Sequence, residues 1–431
     1  MEEFRELTLP AKSDQEFGAG RERPYTSIMT RRTGAVLVTS VAIVALTLAG
    51  SVSQAQSPTA PLRINQQSIR CGNPSVAAAH AGRVYAVWDG YDPNGGRHIW
   101  FSERRPGEDW APEVRLSGAL SGDSFDPSLA VDSFGTPHVV WSSAIGATHH
   151  IFYSRLQNRP AADPATTSIA EWTAPRRLDV TDDLNCEMAS IAFGSSGGPL
   201  VVWQGGLGTL YRIHTAWTVE SGIWRADILG DDSETEHACF PQLIGAPNAL
   251  AFWYSADING FSLRAAAAPE GEGEWRAIHL GESGDLPGEW LPALVSDNAG
   301  GLWAIWSESV EDSPERLFVA PYSLQRGMGA PVLIDDRPEA SNRCPAAAVD
   351  PRRCVAICWV AENKGEKRVV TRLFEPPDFR RPSVALSAPA DLYAAAPRVS
   401  VDSQGGEHVV WYSDFLRGGS GDIYYSFAAL R

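Results

Sequence analysis

The string Val131–Trp141, "VDSFGTPHVVW", decides the fold, because it returns near the end of the chain almost unchanged as Val401–Trp411, "VDSQGGEHVVW". Each string reads as a polar turn followed by a short apolar strand that ends on Trp. Five further segments repeat this pattern, so that seven units close on Trp88, Trp141, Trp203, Trp253, Trp306, Trp359 and Trp411. Neighbouring tryptophans lie 50 to 62 residues apart. A nearly constant period of this size indicates a repeat architecture rather than independent domains.

Each unit contains four short apolar runs that are rich in Val, Ile, Tyr and Trp. Clusters of Gly, Pro, Asn, Asp and Ser separate these runs, which in the second unit begin at Pro127, His138, His150 and Arg176. Short runs of this composition, bounded by turn formers, predict strands, and residues 56–431 show no helical period. Four antiparallel strands per unit match one blade of a β-propeller. The sequence therefore predicts an all-β fold, a seven-bladed β-propeller of four-stranded antiparallel blades.

The seventh unit is incomplete, because the chain ends at Arg431 before a fourth apolar run. The segment "APLRINQQS", which begins at Ala60, resembles the fourth-strand runs that begin at Ala111 and Ala174. A propeller whose last blade is not joined to its first exposes two sheet edges. We therefore predict that residues 61–66 supply the outer strand of the seventh blade and close the ring.

The formal net charge is −16. Nucleic acids and anionic membrane surfaces both bind positively charged surfaces of their protein partners. This charge therefore disfavours both classes of partner, and it suits a soluble protein that binds neutral or cationic ligands. We expect a monomer without a nucleic-acid partner.

The N-terminal region has two interpretations. Residues 29–55 place two arginines before a long uncharged stretch and end on a small-residue cleavage pattern, which is typical of a secretory signal peptide. The alternative is a membrane anchor formed by the uncharged residues 34–52, which are barely long enough to span a bilayer. Both predict export to the periplasm or the extracellular side, with residues 56–431 as a single propeller domain. Residues 1–28 would be an upstream over-annotation of the start or a cytoplasmic extension.

Six cysteines fit an exported protein. Cys186 and Cys239 precede the first strands of neighbouring units, so we predict that they form a disulfide. The hairpin of the sixth unit predicts a second disulfide between Cys344 and Cys358. No pairing follows for the remaining two cysteines, Cys71 and Cys354.

The repeated pattern of Pro, apolar strand, Asp, Gly turn, His-Val-Val-Trp and Ile-Tyr-Tyr-Ser resembles the sialidase-like propellers that bacteria secrete, often called BNR-repeat proteins. The resemblance covers about residues 61–431 and implies the propeller fold. Catalytic members of this superfamily carry an Arg-Ile-Pro or Arg-Leu-Pro motif, and neither tripeptide occurs here. Their Asp box survives only as fragments that lack its aspartate, which end at Trp110, Trp224 and Trp275. No catalytic residue therefore carries over from the family.

The loops that precede the inner strands and those that join the second and third strands share one face of a propeller, around the mouth of its channel. Concave mouths of this kind are expected ligand sites. The candidate ligand-binding residues on these loops are acidic, aromatic or histidine: Asp89, Tyr91, Asp126, Glu187, His237, Glu289, Trp290, Tyr412 and Asp414. Aromatic rings beside carboxylates suit sugars, whose apolar faces stack while their hydroxyls donate hydrogen bonds.

The sequence predicts no cofactor and no metal site. The loop "DGYDPNGG", which begins at Asp89, has oxygen ligands spaced loosely as in a calcium loop. It lacks the spacing and the terminal Glu of an EF-hand, and its Pro, Asn and Gly are explained more simply by a turn; calcium bound at this loop is the alternative.

Three functions are compatible with these features. The first is an exported binding module without catalysis, for carbohydrate or another cell-surface ligand, which the absence of a transferable catalytic motif favours. The second is a carbohydrate-active hydrolase or lyase that uses carboxylates, His237 or Tyr91 on the loop-rich face. The third is a scaffold that binds proteins of the cell envelope over the broad face of the ring.

Overall fold

The computed structural model describes a propeller that lies within the compact unit Ser53–Arg431. The described residues are 58–159, 169–182, 184–207, 210–219, 222–229, 237–245, 249–257, 260–269, 274–278, 292–296, 301–309, 313–350, 354–374, 382–387, 393–414 and 420–429. The signal or anchor segment lies outside these ranges, as do Glu289 and Trp290. Over the described ranges, no helix is both long and apolar enough to cross a bilayer.

The described strands form seven antiparallel sheets, which are the seven predicted blades. Strand β1 (Leu62–Arg63) comes first in the chain and belongs to blade 7. Blade 1 contains β2 (Ile69–Ala78), β3 (Val84–Tyr91), β4 (Arg97–Arg104) and β5 (Val114–Arg115), with a single 3-10 turn at His80–Gly82. Blade 2 contains β6 (Ser124–Val131), β7 (Pro137–Ile145), β8 (Thr148–Arg159), β9 (Ile169–Trp172) and β10 (Arg176–Arg177). Blade 3 contains β11 (Asn185–Phe193), β12 (Pro199–Leu207), β13 (Leu210–Thr218) and β14 (Trp224–Leu229).

The remaining blades repeat this order from the innermost strand outward. Blade 4 contains β15 (His237–Ile244), β16 (Leu250–Asp257), β17 (Gly260–Ala267) and β18 (Arg276–Ile278). Blade 5 contains β19 (Ala293–Ser296), β20 (Leu302–Glu308), β21 (Arg316–Ser323), β22 (Gly327–Met328) and β23 (Val332–Leu333). Blade 6 contains β24 (Ser341–Val349), β25 (Val355–Asn363), β26 (Glu366–Phe374) and β27 (Val384–Ala385). Blade 7 contains β28 (Ala394–Val401), β29 (Gly406–Ser413) and β30 (Ile423–Ala429), with β1 as its outer strand.

The core is divided among the seven interfaces between neighbouring blades. A separate apolar cluster fills each interface, including the one between blades 7 and 1. Each of these clusters contains one of the seven repeated tryptophans, and none of these side chains is more than 4% exposed. Truncation of a buried Trp to Ala costs about 3–5 kcal/mol in typical cores. The Trp period in the sequence is therefore the period of the blade interfaces.

The two near-identical strings have a common structural role. His138 lies between the Tyr153 hydroxyl (Nδ1 to Oη 2.7 Å) and Asp132 (Nε2 to Oδ2 3.4 Å). In blade 7, His408 lies in the same way between Tyr425 (2.9 Å) and Asp402 (3.2 Å). The other oxygen of each aspartate accepts two backbone N–H groups and so caps the turn. The repeated Asp, Gly and His residues thus fix the β-turn to the next strand of the same blade.

Burial lowers the pKa of His138 to about 4. Between that value and the ordinary value near 6.5, the unfolded chain binds a proton that the folded chain does not, so the stability falls as the pH is lowered. We predict that His138→Gln reduces the loss of unfolding free energy between pH 7 and pH 5 by about 2 kcal/mol. Urea denaturation at the two pH values measures this. Tyr153→Phe should lower stability at both pH values and leave the difference between them unchanged; an unchanged difference in His138→Gln would contradict the prediction.

The predicted closure of the ring is confirmed. Leu62 and Arg63 of β1 pair with Tyr425 and Tyr424 of β30 in antiparallel register. Beyond the strand itself, the Asn65 side chain accepts the N–H of Ile423 at 2.9 Å and donates to Asp422 at 3.1 Å. The N-terminal segment of the propeller therefore covers the edge that the incomplete last unit would expose.

We predict that the protein depends on this strand for stability. Protein that begins at residue 67 should melt at least about 5 °C below protein that begins at residue 58, because an uncovered strand edge and a lost outer strand remove several kcal/mol. Differential scanning calorimetry of the two proteins measures the difference. Equal melting temperatures would show that β1 contributes nothing to the closure.

The inner strands share an irregularity that the sequence analysis missed. In six blades a β-bulge places a non-glycine residue of the inner strand at positive φ at an equivalent position: Asn73, Asp126, Met188, Phe240, Cys344 and Ala396. In blade 1, Arg70 of the same strand also has positive φ, beside a second register shift. Five of these six residues precede a proline, and the sixth, Met188, precedes Ala189. Positive φ is uncommon for residues with a Cβ and rare for bulky ones. The bulge turns these side chains away from the regular alternation of the strand.

The two predicted disulfides are wrong, because all six cysteines carry free thiols. The bulge in blade 6 places Ala346, not Cys344, opposite Cys358. Cys358 consequently lies in the core, while Cys344 is exposed. Cys186 and Cys239 are both buried, Cys186 in the interface between blades 2 and 3, and burial raises the pKa values of their thiols to about 12 and about 11.

Candidate functional site

Asp89, at the end of β3, is the buried centre of a hydrogen-bond cluster between blades 1 and 2. Its carboxylate accepts two bonds from the Arg97 guanidinium (3.1 and 2.8 Å) on one oxygen. The other oxygen accepts the Asn73 amide (3.0 Å) and the backbone N–H of Asp126 (3.1 Å). Asp89 is only 1% exposed. The structure therefore places this predicted ligand residue beneath the surface, where it positions Arg97, Asn73 and Asp126.

Asp126 is the bulge residue of blade 2, with φ of 52°. Its Oδ1 accepts the second hydrogen bond from the Asn73 amide, at 2.7 Å. Burial raises the pKa of Asp126 to about 6, and the nearby carboxylates of Asp89 and Glu187 act in the same direction. Arg97 and His149 oppose this shift. Asp126 is thus a half-buried carboxyl group that changes its charge close to neutral pH.

Glu187 and His149 form the next part of the site, across the interface between blades 2 and 3. His149 Nδ1 and Glu187 Oε1 are 2.5 Å apart, and the two side chains are 34% and 26% exposed. The Phe125 ring packs edge-on against the His149 ring with centroids 5.0 Å apart. The Arg97 guanidinium lies over the Phe125 ring, 5.6 Å from the ring centroid. Phe125 therefore connects the His149–Glu187 pair to the Asp89 cluster.

Tyr211 and His237 extend the site to blades 3 and 4. The Tyr211 backbone N–H donates to His237 Nδ1 at 3.2 Å, and the two rings meet edge-on at 5.4 Å. Burial raises the pKa of Tyr211, and the charge of Glu187 acts in the same direction. Burial lowers the pKa of His237. A neutral His237 whose Nδ1 accepts a hydrogen bond carries its proton on Nε2, where it is a donor for a ligand.

The structure brings four of the sequence-predicted residues into one row, which we call the polar row. It runs across blades 1 to 4 and comprises Asn73, Asp89, Arg97, Asp126, His149, Glu187, Tyr211 and His237. Tyr91 ends β3 on the same blade as Asp89. Tyr412 and Asp414 lie on blade 7: Tyr412 packs against the core of the interface with blade 1, and Asp414 is 9% exposed. Glu289 and Trp290 fall outside the described residues, so their roles stay predictions.

Sequence analysis missed four members of the polar row: Asn73, Arg97, His149 and Tyr211. A signal for Asn73 was present, because Asn73 and Asp126 precede the first proline of their units and occupy equivalent positions. No comparable signal marks His149, whose partner is 38 residues away on another blade. Only the packing of neighbouring blades brings these two residues together.

A third histidine, His150, follows His149 on β8. His150 is buried, its Nδ1 is 2.8 Å from Asp179, and its Nε2 is 3.0 Å from the Thr148 hydroxyl. Asp179 also accepts the backbone N–H of Ile151. Ser117, Asp335 and Ser387 accept the equivalent N–H in blades 1, 5 and 6. This repetition shows that the main role of Asp179 is structural, because it accepts a backbone N–H of the third strand.

The loop from Asp89 to Gly96 forms a turn between β3 and β4. One Asp92 carboxylate oxygen accepts the Asn94 N–H at 2.8 Å, and the other accepts the Arg115 guanidinium at 3.0 Å. Gly95 and Gly96 adopt the positive φ that such a turn requires. Within the described ranges, no three His, Cys, Asp or Glu side chains converge as metal ligands do.

No protein-family model matches the sequence, and no curated protein matches it with significant similarity. The structure is similar to a fungal alcohol oxidase of the AA5 family in complex with copper (TM-score 0.53, 11% identity, 87% of this chain and 76% of the other). It is also similar to a PL25 ulvan lyase (TM-score 0.52, 11% identity, 85% and 95%) and to the polysaccharide lyase Uly1 (TM-score 0.50, 9% identity, 87% and 100%). At such identities the similarity shows the fold alone.

The sheet topology therefore establishes the fold of this chain, but not its activity. The chain is a seven-bladed β-propeller of antiparallel blades, the fold that the sequence predicted. Its distinguishing feature is the polar row at the mouth formed by blades 1 to 4.

We predict that Asp126 lowers the stability of the protein at neutral pH. Its pKa is raised above the ordinary value near 3.8, so folding favours the protonated form, and this contribution is lost as the pH rises from about 4 through 6. Asp126→Asn keeps a hydrogen-bond acceptor for Asn73 without the charge, and Asn tolerates positive φ well. The variant should be more stable than the wild type by about 1–2 kcal/mol at pH 7 and equally stable at pH 4. Urea denaturation at both pH values measures this, and a variant that is less stable at pH 7 would contradict it.

Proposed function

We propose that the protein is a carbohydrate-binding propeller whose polar row contacts the hydroxyl groups of a glycan. The observation that carries this proposal is the convergence of Asp126, Glu187, His149 and His237 along one exposed mouth, held from below by Asp89 and Arg97. Carboxylates accept hydrogen bonds from sugar hydroxyls, and a neutral imidazole both accepts and donates them.

Aromatic groups support the same ligand class. Tyr211 and Phe125 present ring edges and faces beside the carboxylates of the polar row. Apolar faces of sugar rings stack on such side chains while the hydroxyls reach neighbouring polar groups. Two of the structurally similar propellers are polysaccharide lyases. Because one fold supports many functions, the proposal rests on the site and not on that similarity.

Export and a monomeric state belong to the same proposal. Residues 29–55 supply the signal segment, and residues 34–52 the alternative anchor. In either case the propeller would meet glycans outside the cytoplasm. A role as a scaffold for envelope proteins stays a prediction, which capture of partners from envelope extract would address.

The first experiment is a binding screen of residues 56–431 on an array of bacterial and plant glycans. We expect binding that falls at least about 10-fold in Glu187→Gln and Asp126→Asn, because each substitution removes a charged hydrogen-bond acceptor. The matched control is Glu108→Gln, which removes the same charge from an exposed turn between β4 and β5, at the opposite face. Absence of binding to every glycan, or equal loss in Glu108→Gln, would reject the proposal.

A second candidate function is acid–base cleavage of a glycan at the same site. The observation that favours it is the pKa of Asp126, about 6, beside a Glu187–His149 pair, since catalytic acids and bases require pKa values near the working pH. Mass spectrometry of the glycan panel after incubation tests it. Fragments that contain an added water indicate hydrolysis, and fragments without it indicate elimination. An unchanged panel would reject cleavage and leave glycan binding as the only function proposed for this site.

A further inference from the structure

A cavity of about 540 Å³ lies between blades 4 and 5. Three residues of blade 4 that pair across its outer three strands line it: Leu250, Ala267 and Arg276. Three paired residues of blade 5 line it from the other side: Ser296, Leu302 and Tyr322. Cavities of this size hold small organic molecules in other proteins.

This cavity lies at the opposite end of the blades from the polar row. His237, the polar-row residue of blade 4, pairs with Ala256 near the end of β16, whereas Leu250 begins that strand. At about 3.3 Å per residue, the two positions lie roughly 20 Å apart. A small molecule in the cavity would therefore not contact the polar row.

Blade 4 has a small side chain at a position where the other blades have larger ones. The position pairs with the residue three before the repeated tryptophan, and in the six other blades it holds Glu103, Arg155, Trp217, Pro321, Leu373 and Phe427. Trp217 and Leu373 are buried in apolar clusters with residues of the next blade. In blade 4 the equivalent residue is Ala267, which pairs with Leu250. An empty space in a core costs stability, so the small residue at this position favours a ligand in its place.

Two hydroxyl groups of the cavity have no hydrogen-bond partner within the described part of the chain. They are the Oη of Tyr322, whose side chain lies in a residue only 5% exposed, and the Oγ of Ser296. Two further lining residues, Ser323 and Gln325, bond to each other at 3.2 Å. Buried polar groups without a partner are rare and costly. Burial raises the pKa of Tyr322, so its hydroxyl keeps its proton at neutral pH and can donate to a bound molecule.

The charge of the cavity is positive. Of the described residues that line it, only Arg276 carries a charge, and its exposed side chain forms no ion pair with them or with the rest of the described chain. The acidic residue nearest to it in the sequence, Glu274, does not line the cavity. Most of the other lining side chains are apolar, and the larger ones are Leu250, Ile278, Leu302 and Leu324. The described lining thus combines an apolar wall with hydrogen-bond donors and a cation.

We propose that this cavity is a second binding site, which takes a small monocarboxylic acid with an apolar body of about ten carbon atoms. The apolar body packs against Leu250, Ala267 and Leu302. The carboxylate accepts hydrogen bonds from Tyr322 and Ser296, and Arg276 supplies the compensating charge. This site is independent of the glycan function proposed above.

Isothermal titration calorimetry with two matched pairs of probes tests the proposal: decanoate with 1-decanol, and 2-naphthoate with 2-naphthol. We expect the protein to bind at least one of the acids about 10-fold or more tightly than the alcohol with the same apolar body, because only the acid is charged. Ala267→Leu places in blade 4 the residue that blade 6 has at this position. It should weaken acid binding at least about 10-fold and keep or raise the melting temperature, because the leucine fills the cavity.

Tyr322→Phe distinguishes a ligand contact from a packing role. The variant should bind the acid about 10-fold more weakly, yet the ligand-free protein should melt no lower than the wild type, since this hydroxyl has no partner there. The matched control is Tyr153→Phe, which removes a hydroxyl that is bonded to His138. That variant should melt at a lower temperature and keep the affinity for the acid.

The outcomes are separate from those of the glycan screen. Binding of neither acid by a protein that melts normally, equal affinity for each acid and its alcohol, or affinity that survives both Ala267→Leu and Tyr322→Phe would overturn the proposal. Glycan binding should stay at the wild-type level in Ala267→Leu. A protein that binds the acid but no glycan would reject the glycan function and support this site.

Discussion

The ring must close, and every other feature of the molecule depends on this constraint. Each blade has an apolar face that only its neighbour covers, and the seven clusters at the seven interfaces are complete only when blade 7 meets blade 1. The outer strand of blade 7 comes from the opposite end of the propeller sequence, where Leu62 and Arg63 pair with β30. The bonds of Asn65 to Ile423 and Asp422 hold this junction. Closure thereby removes the exposed edges that a row of stacked sheets would present.

The bulge of the inner strand places the candidate functional side chains on this scaffold. In a regular strand the residues at these positions would alternate between the two faces of the blade. At positive φ, residues such as Asp126 and Phe240 instead depart from the alternation at the mouth of the channel. Six blades share this conformation, whereas the identity of the side chain changes from blade to blade. Such unfavourable backbone conformations cluster at functional sites, where the surrounding structure maintains them.

The electrostatics of the mouth follow from the same arrangement. Asp89 is satisfied by four hydrogen bonds and stays buried, whereas Asp126 shares one amide donor with it and is left with an elevated pKa. Asp402, a structural carboxylate, has the opposite character: burial acts to raise its pKa, but hydrogen bonds from His408 and from backbone N–H groups lower it. A carboxylate that opposes the stability of the fold, at the entrance of a channel, is better explained by ligand contact than by packing.

The sequence by itself determined the seven blades, the interface tryptophans and the strand that closes the ring, because these features depend on period and composition alone. It also predicted that Asp126, Glu187 and His237 share one face of the ring, since equivalent positions of a repeat lie at the same end of each blade. Only the tertiary structure decided that Arg97 and Asn73 bury Asp89, that His149 meets Glu187, and that Cys344 lies away from Cys358. The physical reason is that a single bulge shifts the register, and that contacts between blades depend on how neighbouring sheets pack, neither of which the repeat period records.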